Sequence, residues 1–290
     1  REMLEYRHRI RERGVKMKLI SVFLALVSLV SGHIIQADIR IHPEKYNLMT
    51  IDTSNLPEPV EAPTVDDFVQ LSEVNMHYRI YGEGGAPLIL IHGNGGSVNS
   101  LAAAARYLAN DYTVYVTESR CQGQSSDPGV ISYELMAKDI AEFAAEMGIK
   151  KPIVMGHSDG AIIALALAAD YPELPGAIIV CGANSDPSTF WPYFPAGVRI
   201  RNAVRRDKLN DLMLNEPHFT AEYLAKINCP AYIVSGEFDI MRQTDTVFIR
   251  DSVPGSDMAI IKGADHSSYI SRDGGQAYAL AVEWLNQKGL

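Results

Sequence analysis

The sequence is short of cysteine and has no excess of basic residues, and each shortage excludes a class of protein. Its three cysteines, Cys121, Cys181 and Cys229, are an odd number without a C-x-x-C spacing, so they indicate neither a disulfide framework nor a zinc site. Lys and Arg total 26 against 35 Asp and Glu, a formal net charge of −9. Because nucleic acid needs a basic face, we expect no nucleic-acid partner. The sequence also indicates no metal or other cofactor.

An apolar run long enough to span a bilayer is also missing. Residues 19–30 form an apolar run of about a dozen residues, short of the roughly 20 that a spanning helix needs but within the range of a signal-peptide core. Lys16 and Lys18 precede it, and the more polar stretch 31–37 ends in a small residue. We therefore expect residues 1–37 to be a basic segment and a cleaved signal peptide, and the protein to be exported. An uncleaved segment would instead anchor it to a membrane.

The next segment, residues 38–64, predicts an extended linker, because three prolines and two acids in 56–63 leave it little means of packing. The folded domain is then expected to span residues 65–290. A chain of 290 residues with 47% hydrophobic residues can bury one sizeable core, so we expect a single catalytic domain.

Beyond residue 65, short apolar runs alternate with helical patterns. Period-two alternation predicts an N-terminal hairpin from residues 68–74 and 76–81, and the apolar run 87–91 predicts a buried strand. Helices and strands then alternate, which predicts parallel strands with helices on both faces. The further predicted elements are helices at 100–109, 133–147, 161–169, 245–252 and 276–288, and strands at 112–116, 152–155, 176–181, 231–235 and 257–261. In such a sheet ligands bind beyond the carboxyl ends of the strands, so residues that directly follow strands are the candidates for a functional site.

The turn after strand 152–155 reads G-x-S-x-G, with Ser158 between Gly156 and Gly160. Between a strand and a helix this pattern is typical of a nucleophile elbow, where small residues relieve crowding in the tight turn and the helix N-terminus favours negative charge. The pattern alone is short and also occurs in ordinary serine turns. Its strand–turn–helix setting predicts that Ser158 is a nucleophile.

A glycine-bearing loop, residues 92–96, directly follows the buried strand 87–91. Glycines let backbone NH groups approach a developing oxyanion, and we expect the NH groups of Asn94 and of Asp159 to form an oxyanion hole. A phosphate-binding loop is the competing interpretation, but the spacing is neither G-x-G-x-x-G nor that of a P-loop with its lysine. We interpret His92 as a structural residue that holds this loop.

Two later strands end in residues that complete the order Ser, Asp, His. Asp239 follows strand 231–235, and His266 follows strand 257–261. A serine hydroxyl is a poor nucleophile until a neutral imidazole takes its proton, and a carboxylate must fix the tautomer of that imidazole. We therefore expect His266 to be the general base and Asp239 to be the acid that orients it. Glu237 is the alternative acid, and it lies closer to the strand end.

Taken together, these motifs resemble the α/β-hydrolase family, particularly its small-lid branch of esterases, C–C hydrolases, haloperoxidase-like and iminopeptidase-like enzymes. The resemblance covers roughly residues 69–289 and implies a mostly parallel, doubly wound sheet with a short helical lid. Residues 118–125 match the family's glycine-bearing loop after the fourth strand only loosely, and we assign them no catalytic role. Ser158 argues against the family's dehalogenases and epoxide hydrolases, which use an aspartate nucleophile.

The insert 184–228 corresponds in position to the family's lid. An aromatic cluster there includes Trp191 and Phe194, which we predict to bind substrate by walling an acyl or aromatic pocket, with plain packing of the lid as the alternative. A run of basic residues follows at 199–208, and a solvated helix face is favoured for it over a clamp for an anionic substrate.

The predicted activity is hydrolysis of small or medium carboxylic esters or related acyl compounds through an acyl-enzyme, with a small acyl compound as the partner. C–C hydrolase, iminopeptidase-like and lactonase activities use the same constellation and stay open. A catalytically silent binding module is the alternative outside enzymes, since a fold alone does not prove activity. The sequence leaves the physiological substrate and the oligomeric state undecided.

Overall fold

A computed structural model describes residues 45–272 and 274–290, and the strands of this part of the chain form one sheet. They are β1 (Leu48–Met49), β2 (Val65–Gln70), β3 (Asn75–Tyr81), β4 (Ala86–Ile91), β5 (Tyr112–Thr117), β6 (Ile153–His157), β7 (Ala177–Cys181), β8 (Ala231–Phe238) and β9 (Asp257–Asp265). Their order is β1-β9-β8-β7-β6-β4-β5-β3-β2. Neighbours from β1 to β5 are parallel, whereas β3 and β2 extend the sheet as the predicted antiparallel hairpin.

Helices connect the parallel strands. They are α1 (Ala102–Leu108), α2 (Tyr133–Glu146), α3 (Asp159–Asp170), α4 (Tyr193–Val204), α5 (Lys208–Asn215), α6 (Ala221–Leu224), α7 (Gln243–Ser252) and α8 (Gly274–Lys288). Short 3₁₀ turns at Val98–Leu101 and Pro187–Thr189 and a π-helical turn at Ser268–Arg272 complete the described elements. Across the residues that the structure describes, no helix combines the length and the apolar character that a bilayer crossing requires.

Two hydrophobic cores lie on opposite faces of the sheet. In β4, Leu88 and Leu90 face the core beneath α1 and α8, while Ile89 and Ile91 face the core beneath α2 and α3. All four side chains are fully buried, as the wholly apolar run in the sequence predicts for a strand covered on both sides. The predicted doubly wound, mostly parallel sheet is therefore confirmed.

The predicted start of the folded domain is wrong, because residues 45–64 pack against the domain instead of forming a free linker. Strand β1 pairs in parallel with β9 at the edge of the sheet, and the side chain of Tyr46 is buried. Further along, the NH of Val60 donates to the carbonyl of Arg106, and the Arg106 guanidinium donates to the carbonyl of Val60. Prolines limit regular hydrogen bonding in this segment, but its apolar residues still bury against the domain. The predicted signal peptide lies outside the described residues.

Two strands also run further than the sequence predicts. Strand β8 continues to Phe238 through a bulge, and β9 continues to Asp265. The polar residues at these strand ends look like loop residues in the sequence, but the backbone pairs Phe238 with Asp265. This longer pairing brings the segments that carry Asp239 and His266 side by side.

Candidate active site

The serine predicted as a nucleophile lies in a strained turn between β6 and α3. Ser158 has φ 56° and ψ −118°, a backbone conformation that non-glycine residues rarely adopt. The flanking positions have no room for a side chain, because backbone carbonyl oxygens lie close to them. A Cβ at Gly156 would lie 2.1 Å from the carbonyl oxygen of Gly160, and a Cβ at Gly160 would lie 2.1 Å from that of Ile91. The packing around the turn therefore holds the strained serine at the start of the helix.

A histidine and an aspartate meet at the ends of β8 and β9. His266 Nδ1 lies 2.6 Å from Asp239 Oδ1. The Asp239 carboxylate is fully buried and also accepts hydrogen bonds from the NH groups of Gly236 (3.0 Å) and Ile240 (2.7 Å). The alternative acid, Glu237, accepts a hydrogen bond from a different partner, the NH of Gly263. The structure thus places Asp239, and not Glu237, against the imidazole.

The two members of this pair shift each other's pKa toward the charged form. Burial opposes charge on Asp239, but the neighbouring His266 and the hydrogen bonds to the carboxylate outweigh it, so the pKa of Asp239 lies below its ordinary value. Burial likewise opposes charge on His266, yet Asp239, with smaller contributions from Asp159 and Asp265, holds the pKa of His266 above its ordinary value. The imidazole is therefore a stronger base than a free histidine, which suits it to take a proton.

Ser158 and His266 open into one cleft of about 360 Å³. The helices α4 and α5 cover one side of it, and the loops after β4, β6 and β9 form the other. The lining residues are Gly93, Asn94, Gly96, Ser100, His157, Ser158, Phe194, Arg201, Asn210, Met213, Ile240, His266, Ser267 and Ser271. Within the described residues no hydrogen bond joins Ser158 Oγ to His266, so the two groups share the cleft without a direct contact of that kind.

The predicted oxyanion loop lies against the elbow. Asn94 lines the cleft beside Ser158, and Asp159 is the first residue of α3, where backbone NH groups have no partner within the helix. Gly93 must be small, because a Cβ there would lie 3.0 Å from the Cβ of Ser158. The NH groups of Asn94 and Asp159 are thus carried on segments that meet at the nucleophile.

The side chains of these two residues are linked to each other. Asn94 Nδ2 donates to Asp159 Oδ2 (2.8 Å) and to the carbonyl of Leu209 in α5 (3.2 Å). The other carboxylate oxygen of Asp159 accepts a hydrogen bond from the hydroxyl of Tyr133 (3.0 Å). Burial raises the pKa of Asp159 to about 6, although both hydrogen bonds act in the opposite direction. A buried carboxyl group with a pKa of about 6 therefore contacts the side chain of Asn94, whose NH is a candidate oxyanion donor.

The loop after β5 supports the oxyanion loop from behind. Gln122 Oε1 accepts a hydrogen bond from the NH of Gly95 (2.7 Å), and Glu118 Oε1 accepts one from the NH of Val98 (3.0 Å). His92 is buried and bridges the two loops, with Nδ1 2.7 Å from the carbonyl of Gly93 and Nε2 accepting from the NH of Ser119. This is the structural role that the sequence predicts for His92.

The two aromatic residues that the sequence predicts to bind substrate lie in different surroundings. Phe194 lines the cleft, but Trp191 does not. The Trp191 ring packs near Tyr46 and Ile260 at the β1 edge of the sheet, with the guanidinium carbon of Arg242 5.5 Å from its centre. The prediction that Trp191 binds substrate is therefore wrong in this structure. Tyr46 and Ile260 are both distant from Trp191 in the sequence, so no local pattern predicts this packing.

Several cleft residues were missed by sequence reasoning. His157 Nε2 donates a hydrogen bond to the carbonyl of His266 (2.8 Å), and burial together with the nearby His266 charge lowers the pKa of His157 to about 4. It therefore stays neutral and fixes the backbone that carries His266. Tyr133 reaches Asp159 from α2, 26 residues away in the chain, so nothing in the local pattern could reveal that contact. Among the described residues, no group of three or more His, Cys, Asp or Glu side chains is placed to hold a metal ion.

Comparison with known proteins shows what the chain is similar to. The model of the alpha/beta hydrolase fold matches residues 86–199. A putative esterase/lipase of Haemophilus influenzae is 32% identical over 100 residues, 34% of this chain and 35% of that protein. The human serine hydrolase BPHL is 26% identical over 233 residues, 70% of this chain and 80% of that protein. These matches and the order of the strands show that the chain has the α/β-hydrolase fold.

Other similar proteins carry the names of different activities. A 2-hydroxy-6-oxononadienedioate/2-hydroxy-6-oxononatrienedioate hydrolase of Burkholderia vietnamiensis is 29% identical over 145 residues, 47% of this chain and 50% of that protein. The chain thus spans a third to a half of the length of the first curated relatives it matches. The crystal structure of the enol-lactonase from Burkholderia xenovorans superposes with a TM-score of 0.62 at 19% identity, over 76% of this chain and 99% of that one. At this identity the likeness is one of fold.

Proposed function

We propose that the protein is a serine hydrolase that cleaves small or medium carboxylic esters through an acyl-enzyme on Ser158. The observation that carries this proposal is the pairing of a strained serine elbow with the His266–Asp239 contact in a single cleft. A buried carboxylate on Nδ1 leaves Nε2 of His266 as the nitrogen that can accept a proton. Relatives named as esterases support the same reaction class.

The reaction follows from these positions. His266 takes the proton of the Ser158 hydroxyl as Oγ attacks the ester carbonyl, and Asp239 stabilises the imidazolium that forms. The NH groups of Asn94 and Asp159 stabilise the oxyanion of the tetrahedral intermediate. His266 then protonates the leaving alcohol, and a water molecule activated by the same imidazole hydrolyses the acyl-enzyme. Each step uses a group that lines the cleft or contacts one that does.

The cleft volume limits the substrate. A space of about 360 Å³, walled by Phe194, Met213 and Ile240 among its apolar residues, suits a small or medium acyl or aryl group. Hydrolysis of a carbon–carbon bond or a lactone is the second candidate, because relatives and a structural neighbour carry names of such enzymes. Both reactions would use the same serine, histidine and aspartate.

A fluorophosphonate probe tests whether the site is active. We expect rapid covalent labelling of Ser158 in the wild-type protein, no labelling of Ser158→Ala and strongly slowed labelling of His266→Ala. Circular dichroism of each variant provides the control for folding. An unlabelled but folded wild-type protein would favour a silent binding module over a hydrolase.

We also propose that the protein is exported. The lysines at 16 and 18 and the apolar run 19–30 support this proposal, because together they resemble the n-region and h-region of a signal peptide. N-terminal sequencing of the protein recovered from periplasm or medium is expected to find a chain that starts near residue 38. Recovery of a chain that keeps residues 19–30 would contradict cleavage and favour a membrane anchor.

A further inference from the structure

The lining of the cleft differs in charge from the protein as a whole. The whole chain carries a formal net charge of −9, yet no Asp or Glu is among the residues that line the cleft. Apart from the histidines, Arg201 is the one ionisable side chain of that lining. Ser100, Asn210 and Ser271 add neutral polar groups around it. The cleft lining therefore offers a cation and hydrogen-bonding groups, and it contains no carboxylate.

Arg201 reaches the cleft because of its position on α4. It lies seven residues after Phe194, which is two helical turns, so both residues face the same side of the helix. Val198, between them on this side, is fully buried and fixes the helix against the domain. The face of α4 that closes the cleft thus presents an apolar ring at one end and a guanidinium at the other.

Three other basic residues of the same run are placed differently. Arg206 forms an ion pair with Asp211 (3.2 Å), and Lys208 forms one with Asp127. Arg199 lies along a separate surface groove with Phe190, Leu214 and Arg242. In the part of the chain that the structure describes, Arg201 has no carboxylate partner and no side-chain hydrogen bond. A guanidinium without a partner at the wall of a cleft is free to bind a ligand.

We propose that Arg201 forms a subsite for a carboxylate, so that the preferred substrates are esters that carry a free acid group on their acyl or alcohol part. The inference rests on the proposed esterase function and names its substrate class. A planar guanidinium matches a carboxylate with two parallel hydrogen bonds, which a solvated point charge does not. The neighbouring polar groups can complete the hydrogen bonding of the bound acid.

Matched ester pairs test this proposal on the purified full chain. Monomethyl adipate against dimethyl adipate places the free acid on the acyl side, and 4-acetoxybenzoate against its methyl ester places it on the alcohol side. We expect wild-type kcat/KM to favour the acid member of at least one pair by roughly tenfold, the effect of one charge-assisted interaction, after correction for the two ester groups of the diester. The preference should appear mainly in KM and should shrink at high salt, because salt screens a partly exposed pair.

Two substitutions on the same helix separate the subsite from general charge effects. Arg201→Gln should abolish the preference, because it removes the bond to the substrate acid, so kcat/KM should fall about tenfold more for the acid esters than for the neutral ones. Arg199→Gln makes the same change of net charge on a face outside the cleft, and the preference should remain. Arg201→Lys should keep part of it, because the charge stays but the paired hydrogen bonds do not.

The outcomes also separate this inference from the proposed function. Neutral esters that are hydrolysed with no acid preference, or a preference that survives Arg201→Gln, would overturn the subsite and leave the esterase standing. An equal loss on neutral and acid esters in Arg201→Gln would overturn it too, since that result assigns Arg201 to lid packing. A folded wild-type protein that hydrolyses none of the four esters and takes no fluorophosphonate label would defeat the proposed function itself.

Discussion

The side-chain amide of Asn94 donates a 2.8 Å hydrogen bond to the carboxylate of Asp159, and this bond joins the two residues whose NH groups are the candidate oxyanion donors. One donor lies on the loop after β4, and the other lies on the elbow after β6. Two segments distant in sequence are thereby held at a fixed separation. Because Asn94 also donates to the carbonyl of Leu209, the same amide connects the site to the helix α5 above it.

This bond predicts that the two residues act as a unit. Asp159→Ala and Asn94→Ala should each lower kcat by about tenfold to a hundredfold with little change in KM, because a displaced oxyanion donor stabilises the transition state less. The double variant should lose little more than either single one. Steady-state kinetics on a short nitrophenyl ester provide the measurement, and Tyr133→Phe is the control that keeps the Asn94–Asp159 bond. Additive losses would show that the two side chains act separately.

The buried carboxyl of Asp159 predicts a particular pH dependence of stability. Its pKa is raised to about 6 in the folded protein from 3.8, so its contribution to stability is full below about pH 4 and is lost as the pH rises through 6. Asp159→Asn cannot titrate and should not show this loss. Between pH 4 and 8, the free energy of unfolding of the variant should therefore rise relative to wild type by about 2–3 kcal/mol. Urea unfolding of both proteins at several pH values measures the difference, and a difference independent of pH would contradict the assignment.

Substitution of Ser158, His266 or Asp239 should remove most of the activity, and the separate losses should not add. Ser158→Ala and His266→Ala are each expected to lower kcat by roughly 10⁴ to 10⁶, and the double variant should lose little more, because the members of a triad act as one unit. Asp239→Asn should cost on the order of 10⁴, since the amide can stabilise the wrong imidazole tautomer. Glu237→Gln is the matched control, because Glu237 bonds the NH of Gly263 and not His266. A larger loss in that control than in Asp239→Asn would reassign the acid.

The activity should also depend on the protonation of His266. Only the neutral imidazole can take the serine proton, and Asp239 holds the pKa of His266 above its ordinary value despite burial. The kcat/KM profile should therefore rise with pH, with a midpoint above the value of about 6.5 for an unperturbed histidine. Asp159→Asn removes one of the smaller charges that raise this pKa and should shift the midpoint to lower pH. A profile that stays flat from pH 5 to 8 would count against a histidine base.

Local patterns predicted the doubly wound sheet, and Ser158, Asp239 and His266 directly follow strands of it, but the same patterns failed where a contact joins distant segments. Gly156, Ser158 and Gly160 are close in the sequence, so the steric demand of the turn is visible as a motif. The alternation of apolar runs likewise predicts which strands are covered on both faces. The partner of Asp159 on α2 depends instead on how a helix 26 residues away packs. The packing of residues 45–64 on the sheet edge was hidden for the same reason.

The insert 184–228 shows this difference within one short aromatic cluster. Both Trp191 and Phe194 are large aromatic side chains of the kind that lines pockets. They are only three residues apart, yet the Trp191 ring packs at the sheet edge and the Phe194 ring lines the cleft. Composition alone could not separate them, because the direction of a side chain depends on where α4 begins and on which face of it is buried. For the same reason, the sequence could not distinguish Arg201 from the other basic residues of the run 199–208.

The different positions of Phe194 and Trp191 allow a test of the acyl chain length that the cleft accepts. In a series of nitrophenyl esters, kcat/KM should peak at short acyl chains and then fall, because a methylene that fits the pocket adds at most about 1–3 kcal/mol and the cleft is small. Phe194→Ala enlarges the cleft and should move the peak to longer chains. Trp191→Ala is the matched control and should leave the peak in place while it lowers the unfolding midpoint, because that ring packs at the sheet edge. The assay is run in solution and on emulsified triglyceride. A preference for long-chain triglyceride would overturn the small-ester specificity, and a peak that moves in Trp191→Ala but not in Phe194→Ala would exchange the roles of the two rings.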